Sequence, residues 1–430
     1  MAGKGGRKKS NQITSSNELE PSINTPSKKQ KTVTTSTMSA NTTTVATKTL
    51  LDDAHDGFKN GNFVCSPLSL DILLGMLAAG AEGETLKQLL GFLGHESVDQ
   101  LLSESPTSIL FSNILSKPRK GGKEDLEFSL VNCIWVDNKV APVRSSYQKV
   151  LETVYKTEAR YVDFDNKVKC DEAVRKINKW VHKVTKGLID TIVNGFGEDD
   201  LIVLANALYF KGAWYNPFIA KMTKNKHFYL INGKKVSVPF MTVGRELFDY
   251  GSFNGYKIIK LPYKSNDRLN KFSMYIFLPD RNDGLLNLLE LFHSDGALFH
   301  GDFDLKPEWL SDLWIPKFKI SCEFDPNNVM EQMGLTLPFE KTNKELSGIV
   351  DMRGLYNNML YVSKMSQFSY IKVDEKGTVA AACTMGLMAG GGRDPNPISF
   401  VADHPFMFMI REDTSRAVLF VGAVLDPSAK

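Results

Sequence analysis

Asp374-Glu375-Lys376-Gly377-Thr378-Val379-Ala380-Ala381-Ala382-Cys383-Thr384-Met385-Gly386-Leu387-Met388-Ala389-Gly390-Gly391-Gly392-Arg393-Asp394-Pro395-Asn396-Pro397 is the stretch that decides the fold. It begins where the alternating strand pattern Tyr370-Ile371-Lys372-Val373 ends. It stops before a second strand at Ile398-Ser399-Phe400. Three consecutive glycines and two prolines exclude a helix at its far end. A connection this long inside a compact domain is a functional or disordered loop. Its first half reads differently. Thr378, Ala380, Ala382, Thr384 and Gly386 are alternate positions, so in a strand they share one face. All are small and uncharged, and such a face enters an existing sheet without overpacking it. The segment reads as a loop that is also a latent central strand, against the plainer alternative of a flexible surface connection.

Working outward, the chain is globular from about residue 50 and no Pro/Gly/Ser linker divides it. One domain over 50–430 is expected. Ser66 suits a helix cap and Pro67 a first turn, and Leu70, Leu73, Leu74 and Leu77 share a face, which predicts a helix over 66–79. Val174, Ile177, Val181 and Val184 mark a second amphipathic helix, with Trp180 beside the stripe. Leu201 to Phe210 is an apolar run interrupted only by Asn206, the pattern of a strand buried on both faces. Phe272 to Leu278 reads as a strand before a turn at Pro279-Asp280. Phe406 to Ile410 and Val418 to Val424 read as a hairpin around the polar turn 411–416. Helices dominate early and strands late, which indicates α+β.

Residues 1–49 are rich in Ser, Thr, Asn and Lys and are expected to be a disordered basic extension. Lys28, Lys29 and Lys31 follow Pro26 and resemble a nuclear-import signal, although a solvated basic tail has the same composition. The start lacks the apolar core of a signal peptide. Cys65, Cys133, Cys170, Cys322 and Cys383 are isolated and odd in number, against a disulfide framework or a zinc site. Both observations predict an intracellular protein, cytoplasmic and/or nuclear. A net charge of +3 gives no reason to expect nucleic acid as a partner. No apolar run is long enough for a membrane span. Walker, HExxH, GxSxG and dinucleotide patterns are absent, so neither an enzyme nor a cofactor or metal site is expected.

Glu375-Lys376-Gly377-Thr378 followed by Ala380-Ala381-Ala382 resembles the hinge of the serpin family. Phe400-Val401-Ala402-Asp403-His404-Pro405-Phe406 resembles the family signature in its plant form, as in serpin-Z proteins. Asn62-Phe63-Val64-Cys65-Ser66-Pro67-Leu68-Ser69, Asn206-Ala207-Leu208-Tyr209-Phe210-Lys211-Gly212-Ala213-Trp214, Val238-Pro239-Phe240-Met241 and Leu419-Phe420-Val421-Gly422 extend the likeness over about 50–427. The resemblance implies three β-sheets, eight to nine helices and an exposed reactive-centre loop at about 377–399. It implies inhibition of a serine or cysteine protease as a suicide substrate, with the cleaved loop inserting into the main sheet. Glu375, Gly377, Thr378, Ala380, Ala381 and Ala382 would be the hinge. Ser66, Ser69 and Asn206 would lie at the shutter, where the sheet opens, and Trp214 at the breach, where insertion starts.

The chain departs from that pattern in three places. Gln367 and Phe368 stand where the family usually has His and Lys, so Gln367 is expected to hydrogen-bond Asn206 or a serine. Spacing from Glu375 puts the scissile bond at Gly391-Gly392, whereas counting back from Phe400 moves it towards Ala389; Leu387, Met388 and Arg393 are further bait candidates. Val379 and Cys383 replace more usual hinge residues. The partner implied is a papain-like, metacaspase-like or serine protease, and the protein is expected to be a monomer. The alternative is a non-inhibitory serpin, a binding or structural protein, on account of the Gly-rich loop and altered shutter.

Overall fold

In the computed structural model of the chain, which describes residues 40–105, 107–110, 126–140, 142–185, 187, 189–197, 200–265, 271–351, 359–377 and 397–429, local sequence signals explain most elements. The described residues hold eight α-helices: α1 (Ala40–His55), α2 (Pro67–Ala78), α3 (Gly83–Leu93), α4 (Val98–Ser103), α5 (Ser145–Thr153), α6 (Lys167–Val184), α7 (Leu285–Ser294) and α8 (Asn327–Gln332). The strands are β1 (Phe63–Cys65), β2 (Leu126–Asp137), β3 (Ala159–Val162), β4 (Ile202–Gly212), β5 (Lys224–Tyr229), β6 (Lys235–Met241), β7 (Glu246–Phe253) and β8 (Tyr256–Pro262). They continue with β9 (Phe272–Pro279), β10 (Lys306–Pro316), β11 (Phe318–Phe324), β12 (Val362–Val373), β13 (Ile398–Val401), β14 (Phe406–Glu412) and β15 (Val418–Val424).

Helix α2 starts as its sequence predicts. The Ser66 hydroxyl accepts from the Ser69 N–H, and Pro67 fills the first turn. The helix is buried nearly all round, Ile72 and Met76 included, so it is a core helix and not a surface one with a single apolar face. Helix α1 moves the expected boundary at residue 49. It begins at Ala40, inside the stretch assigned to the extension, and buries Val45, Ala46 and Leu50. Its threonines misled the reading of composition. Thr43, Thr44, Thr47 and Thr49 turn their hydroxyls onto carbonyls three or four residues back, at 2.7–3.0 Å. A threonine satisfied in this way presents a methyl group and packs like valine. Residues 1–39 lie outside the described residues.

Five strands form one sheet in the order β11-β12-β4-β2-β3. A ten-stranded system runs β1-β15-β14-β9-β8-β7-β10-β6-β5, with β13 also on β10. Strand β10 belongs to two sheets at once: Lys306–Leu310 pairs with β7, and Ile315-Pro316 pairs with β6. The three sheets therefore appear as one separate sheet and two that share a strand. The C-terminal hairpin is present, with Phe406 opposite Val424.

Strand β4 is buried on both faces because two apolar layers meet it. Leu204, Leu208 and Phe210 point into the main core with α2, whereas Val203, Ala205, Ala207 and Tyr209 meet Ile177 and Val181 of α6 on the other side. Among the described residues no helix is long and apolar enough to cross a membrane.

Candidate functional site: a seam between two parallel strands

Strands β12 and β4 are direct parallel neighbours, in register from Val362 opposite Ile202 to Tyr370 opposite Tyr209. A strand entering between two parallel strands can run antiparallel to both of them. The upper end of this seam is already occupied. The chain leaves β12 at Val373, turns at Glu375-Lys376, and comes back with Gly377 bridged to Asp374 on one side and Ala213 on the other. Asp374 and Gly377 exchange both backbone hydrogen bonds at 3.1 Å. Only glycine fits there. Its φ is +121°, and a Cβ would lie 2.1 Å from the Gly212 carbonyl oxygen.

Trp214 anchors this turn. Its indole stacks on Tyr263 with ring centroids 4.5 Å apart, and Nε1 donates to the Asp374 carbonyl at 3.0 Å. The Trp214 N–H donates to the Lys376 carbonyl, and the Phe218 N–H to that of Glu375. The Glu375 side chain is held by Lys317 at 2.8 Å and by the Thr223 hydroxyl at 2.8 Å. Burial pushes the Glu375 carboxyl up, but Lys317, a backbone amide and Thr223 outweigh it and hold the pKa below the usual carboxylate value. The sequence reading named Glu375, Gly377 and Trp214, and the fold brings them together. It missed Lys317 and Thr223, which carry no local signal because they come from the link between β10 and β11 and from before β5.

Midway down the seam, one register row runs Phe324, Gln367, Asn206, Asn132 across four strands. The Gln367 amide clasps the start of α2: Oε1 accepts from the Ser66 N–H and Nε2 donates to the Ser66 carbonyl, both at 2.7 Å. Gln367 therefore bonds a serine, as expected, but through its backbone. It does not take Asn206, which donates to Asn132 Oδ1 at 2.6 Å. Asn132 Nδ2 donates onward to the Tyr155 carbonyl. Asn132 was overlooked, although it interrupts the apolar run 130–136 just as Asn206 interrupts its own. Ser66, Ser69, Asn206 and Gln367 are fully buried. Asn206 Oδ1, Ser69 Oγ and Ser369 Oγ find no partner among the described residues.

Thr378, Ala380, Ala381, Ala382, the candidate bond Gly391-Gly392, the bait candidates Leu387, Met388, Ala389 and Arg393, and the basic cluster Lys28, Lys29 and Lys31 lie outside the described residues. Cys65, Cys133, Cys170 and Cys322 are free thiols. Burial pushes all four up, Cys133 to about 12, so none is an activated nucleophile at neutral pH.

A family model described as "Serpin (serine protease inhibitor)" matches residues 40–427. The chain is 39% identical over 375 residues to Serpin-Z10 of Arabidopsis thaliana, covering 85% of this chain and 92% of that protein. It is 35% identical over 403 residues to Serpin-Z2A of Triticum aestivum, covering 90% and 98%. Among solved structures, Arabidopsis AtSerpin1 in its native stressed conformation superposes with a TM-score of 0.79 at 33% identity, covering 91% of this chain and 98% of that one. Serpin48 of the insect Tenebrio molitor gives 0.73 at 26%, covering 90% and 97%.

Proposed function

The chain belongs to the serpin family, and from that premise we propose that it inhibits endopeptidases as a suicide substrate by inserting its cleaved loop between β12 and β4. A serine or cysteine protease attacks a carbonyl in the loop. The peptide C–N bond breaks, the new amine leaves with the C-terminal side, and the N-terminal side stays on the enzyme as an acyl ester or thioester. Insertion then carries the enzyme away before water reaches that bond. The observation that carries this reading is Gly377, already bridged to Asp374 and Ala213, the residues that follow β12 and β4 at the mouth of the seam.

The register supports it further. Extending the antiparallel pairs Asp374–Gly377 and Ala213–Gly377 down the seam puts Thr384 opposite Gln367 and opposite Asn206 alike. In that product Thr378, Ala380, Ala382, Thr384 and Gly386 face the main core, where α2 leaves little room. Val379, Ala381, Cys383 and Met385 face the α6 layer. The Thr384 hydroxyl arrives in the row where Asn206 Oδ1 lacks a donor. Each new ladder bond is worth about 1 kcal/mol net, so roughly ten of them supply a drive on the order of 10 kcal/mol.

The partner in this reading is a serine, papain-like or metacaspase-like protease. The inhibitor acts as a monomer inside the cell, in the cytoplasm or, through Lys28, Lys29 and Lys31, the nucleus. The deciding experiment is a thermal melt before and after limited cleavage at residues 387–394. A rise above about 10 °C, well beyond what a single added contact gives, is expected for insertion. An unchanged melt would leave a serpin without loop insertion, the non-inhibitory binding or structural protein.

A further inference from the structure

We propose that Tyr209 and Tyr370 form the latch of the seam: their ring contact holds β12 to β4 in the uncleaved chain, and parting it sets the rate at which a strand enters. The inference rests on the insertion reading above and names the residues that restrain it. Backbone pairing between the two strands runs from Val362 opposite Ile202 to Tyr370 opposite Tyr209 and stops there. Beyond that row, among the described residues, each strand goes on with its outer neighbour alone: Ile371 to Val373 pair with β11, and Phe210 to Gly212 pair with β2. Gly377 then bridges Asp374 and Ala213. The tyrosines therefore stand at the fork, in the first row that an entering strand has to open.

In the rows below, side chains do little to tie the strands together. Asn206 and Gln367 share a row, yet Asn206 donates to Asn132 and Gln367 clasps Ser66. Ala205 stands opposite Ser366, Ala207 opposite Phe368, and Leu208 opposite Ser369, whose hydroxyl has no partner among the described residues. Each of those three rows has a small side chain on at least one strand. Tyr209 and Tyr370 differ. Their ring centroids are 6.1 Å apart and their planes are tilted by 55°, the only ring contact between β12 and β4 among the described residues. Both are buried in the layer that α6 covers with Ile177 and Val181. From the other side Lys319 of β11 sets its ammonium 5.6 Å from the centre of the Tyr370 ring, a second contact that holds the ring in place.

A strand placed between β12 and β4 moves them apart by one strand spacing, about 4.8 Å. Centroids that start 6.1 Å apart then lie beyond the reach of aromatic contact, about 7 Å. The ring contact therefore exists only while the seam is closed. Ordinary core packing would be retained after insertion, and this contact is not. An aromatic pair changes an equilibrium or a rate by about three- to tenfold beyond the area that it buries. The mouth can thus stand ready at Gly377 while the next row down keeps the seam shut.

The test compares the full chain with Tyr209→Leu, Tyr370→Leu, the double variant and Tyr370→Phe, each intact and after limited cleavage at residues 387–394. In the intact proteins the two single losses in melting temperature are expected to sum to more than the loss in the double variant, because either substitution already removes the contact. In the cleaved proteins the losses are expected to add. Insertion is timed by tryptophan fluorescence, to which Trp214 beside the hinge contributes, in the phase after cleavage that no longer depends on protease concentration. That phase is expected to be about three- to tenfold faster in either leucine variant and unchanged in Tyr370→Phe, which keeps the ring. Should the double variant fail to fold, the rates of the single variants decide. Parent rates in both leucine variants would overturn the latch, and a melt that still rises on cleavage would show that insertion itself stands. A parent melt that does not rise on cleavage would remove insertion, and the latch with it.

Discussion

The two ends of the seam between β12 and β4 are built differently. At the mouth, the polar groups are served: Gly377 is bridged on both sides, Glu375 is held by Lys317 and Thr223, and both Trp214 N–H groups have carbonyl partners. Halfway down, Asn206 Oδ1, Ser69 Oγ and Ser369 Oγ are buried without partners among the described residues. Unserved buried polar atoms raise the free energy of the state that contains them. In the proposed mechanism the mouth sets where a strand enters, and the middle supplies part of the reason to enter. Readiness and stress are separate properties of one seam, and substitutions should separate them.

Changes at the mouth should have the largest effect. In Gly377→Val a side chain must occupy space 2.1 Å from the Gly212 carbonyl oxygen, so the double bridge is lost. Thr378→Arg would carry a guanidinium into the core on insertion, a cost of several kcal/mol. Each variant is expected to be cut as a substrate, with the yield of denaturant-stable protease complex down at least about tenfold, since about 1.4 kcal/mol against insertion suffices. A complex yield unchanged from the parent would remove the basis for insertion at Gly377. The next largest effect is at the clasp. Gln367→Met keeps the length but leaves the Ser66 N–H unpaired in the core, about 1–3 kcal/mol, while the Ser66 carbonyl keeps only the Leu70 N–H. The uncleaved protein should unfold at lower denaturant concentration, and the parent midpoint in this variant would show that the clasp contributes nothing.

These residues were not equally visible in the sequence. Glu375 and Gly377 were legible because they adjoin an alternating run of small residues, the pattern that the proposed insertion requires; that run itself lies outside the described residues. The hairpin at 406–424 and the doubly buried β4 were legible because apolar runs bounded by polar turns have one reading. Helix α1 was hidden because a buried threonine and a solvated one are the same letter, and only the i−3 and i−4 hydroxyl bonds tell them apart. Gln367 was recognised as a departure, but its partner was not derivable: an amide bonds whichever donor and acceptor lie nearest. That choice was fixed by where α2 crosses β12. The scissile bond rests on spacing alone, and residues 378–396 lie outside the described residues.

A smaller effect should isolate the stress. Ser369→Ala deletes one unserved hydroxyl and little else. The uncleaved protein should be unchanged or more stable by up to about 1 kcal/mol. The cleaved protein should change less, so the gap between the two melting temperatures narrows. A gap that widens would mean the hydroxyl is served in the uncleaved state, and the contrast between mouth and middle would fail.

The smallest effect concerns pH at the mouth. The folded pKa of Glu375 lies below its ordinary value of 4.5, so its contacts with Lys317 and Thr223 contribute fully above about pH 4.5. That contribution is lost as pH falls through the lower, folded value, because the protonated acid no longer holds the ammonium. Lys317 is partly exposed, which screens the pair and keeps the effect modest. Trp214 reports on it directly, since its two N–H groups bond the carbonyls on either side of Glu375. Tryptophan fluorescence should therefore show a step below pH 4.5 that disappears in Glu375→Gln and in Trp214→Phe. If the step survives Glu375→Gln, another group titrates there, and the hinge is held by its backbone bonds alone.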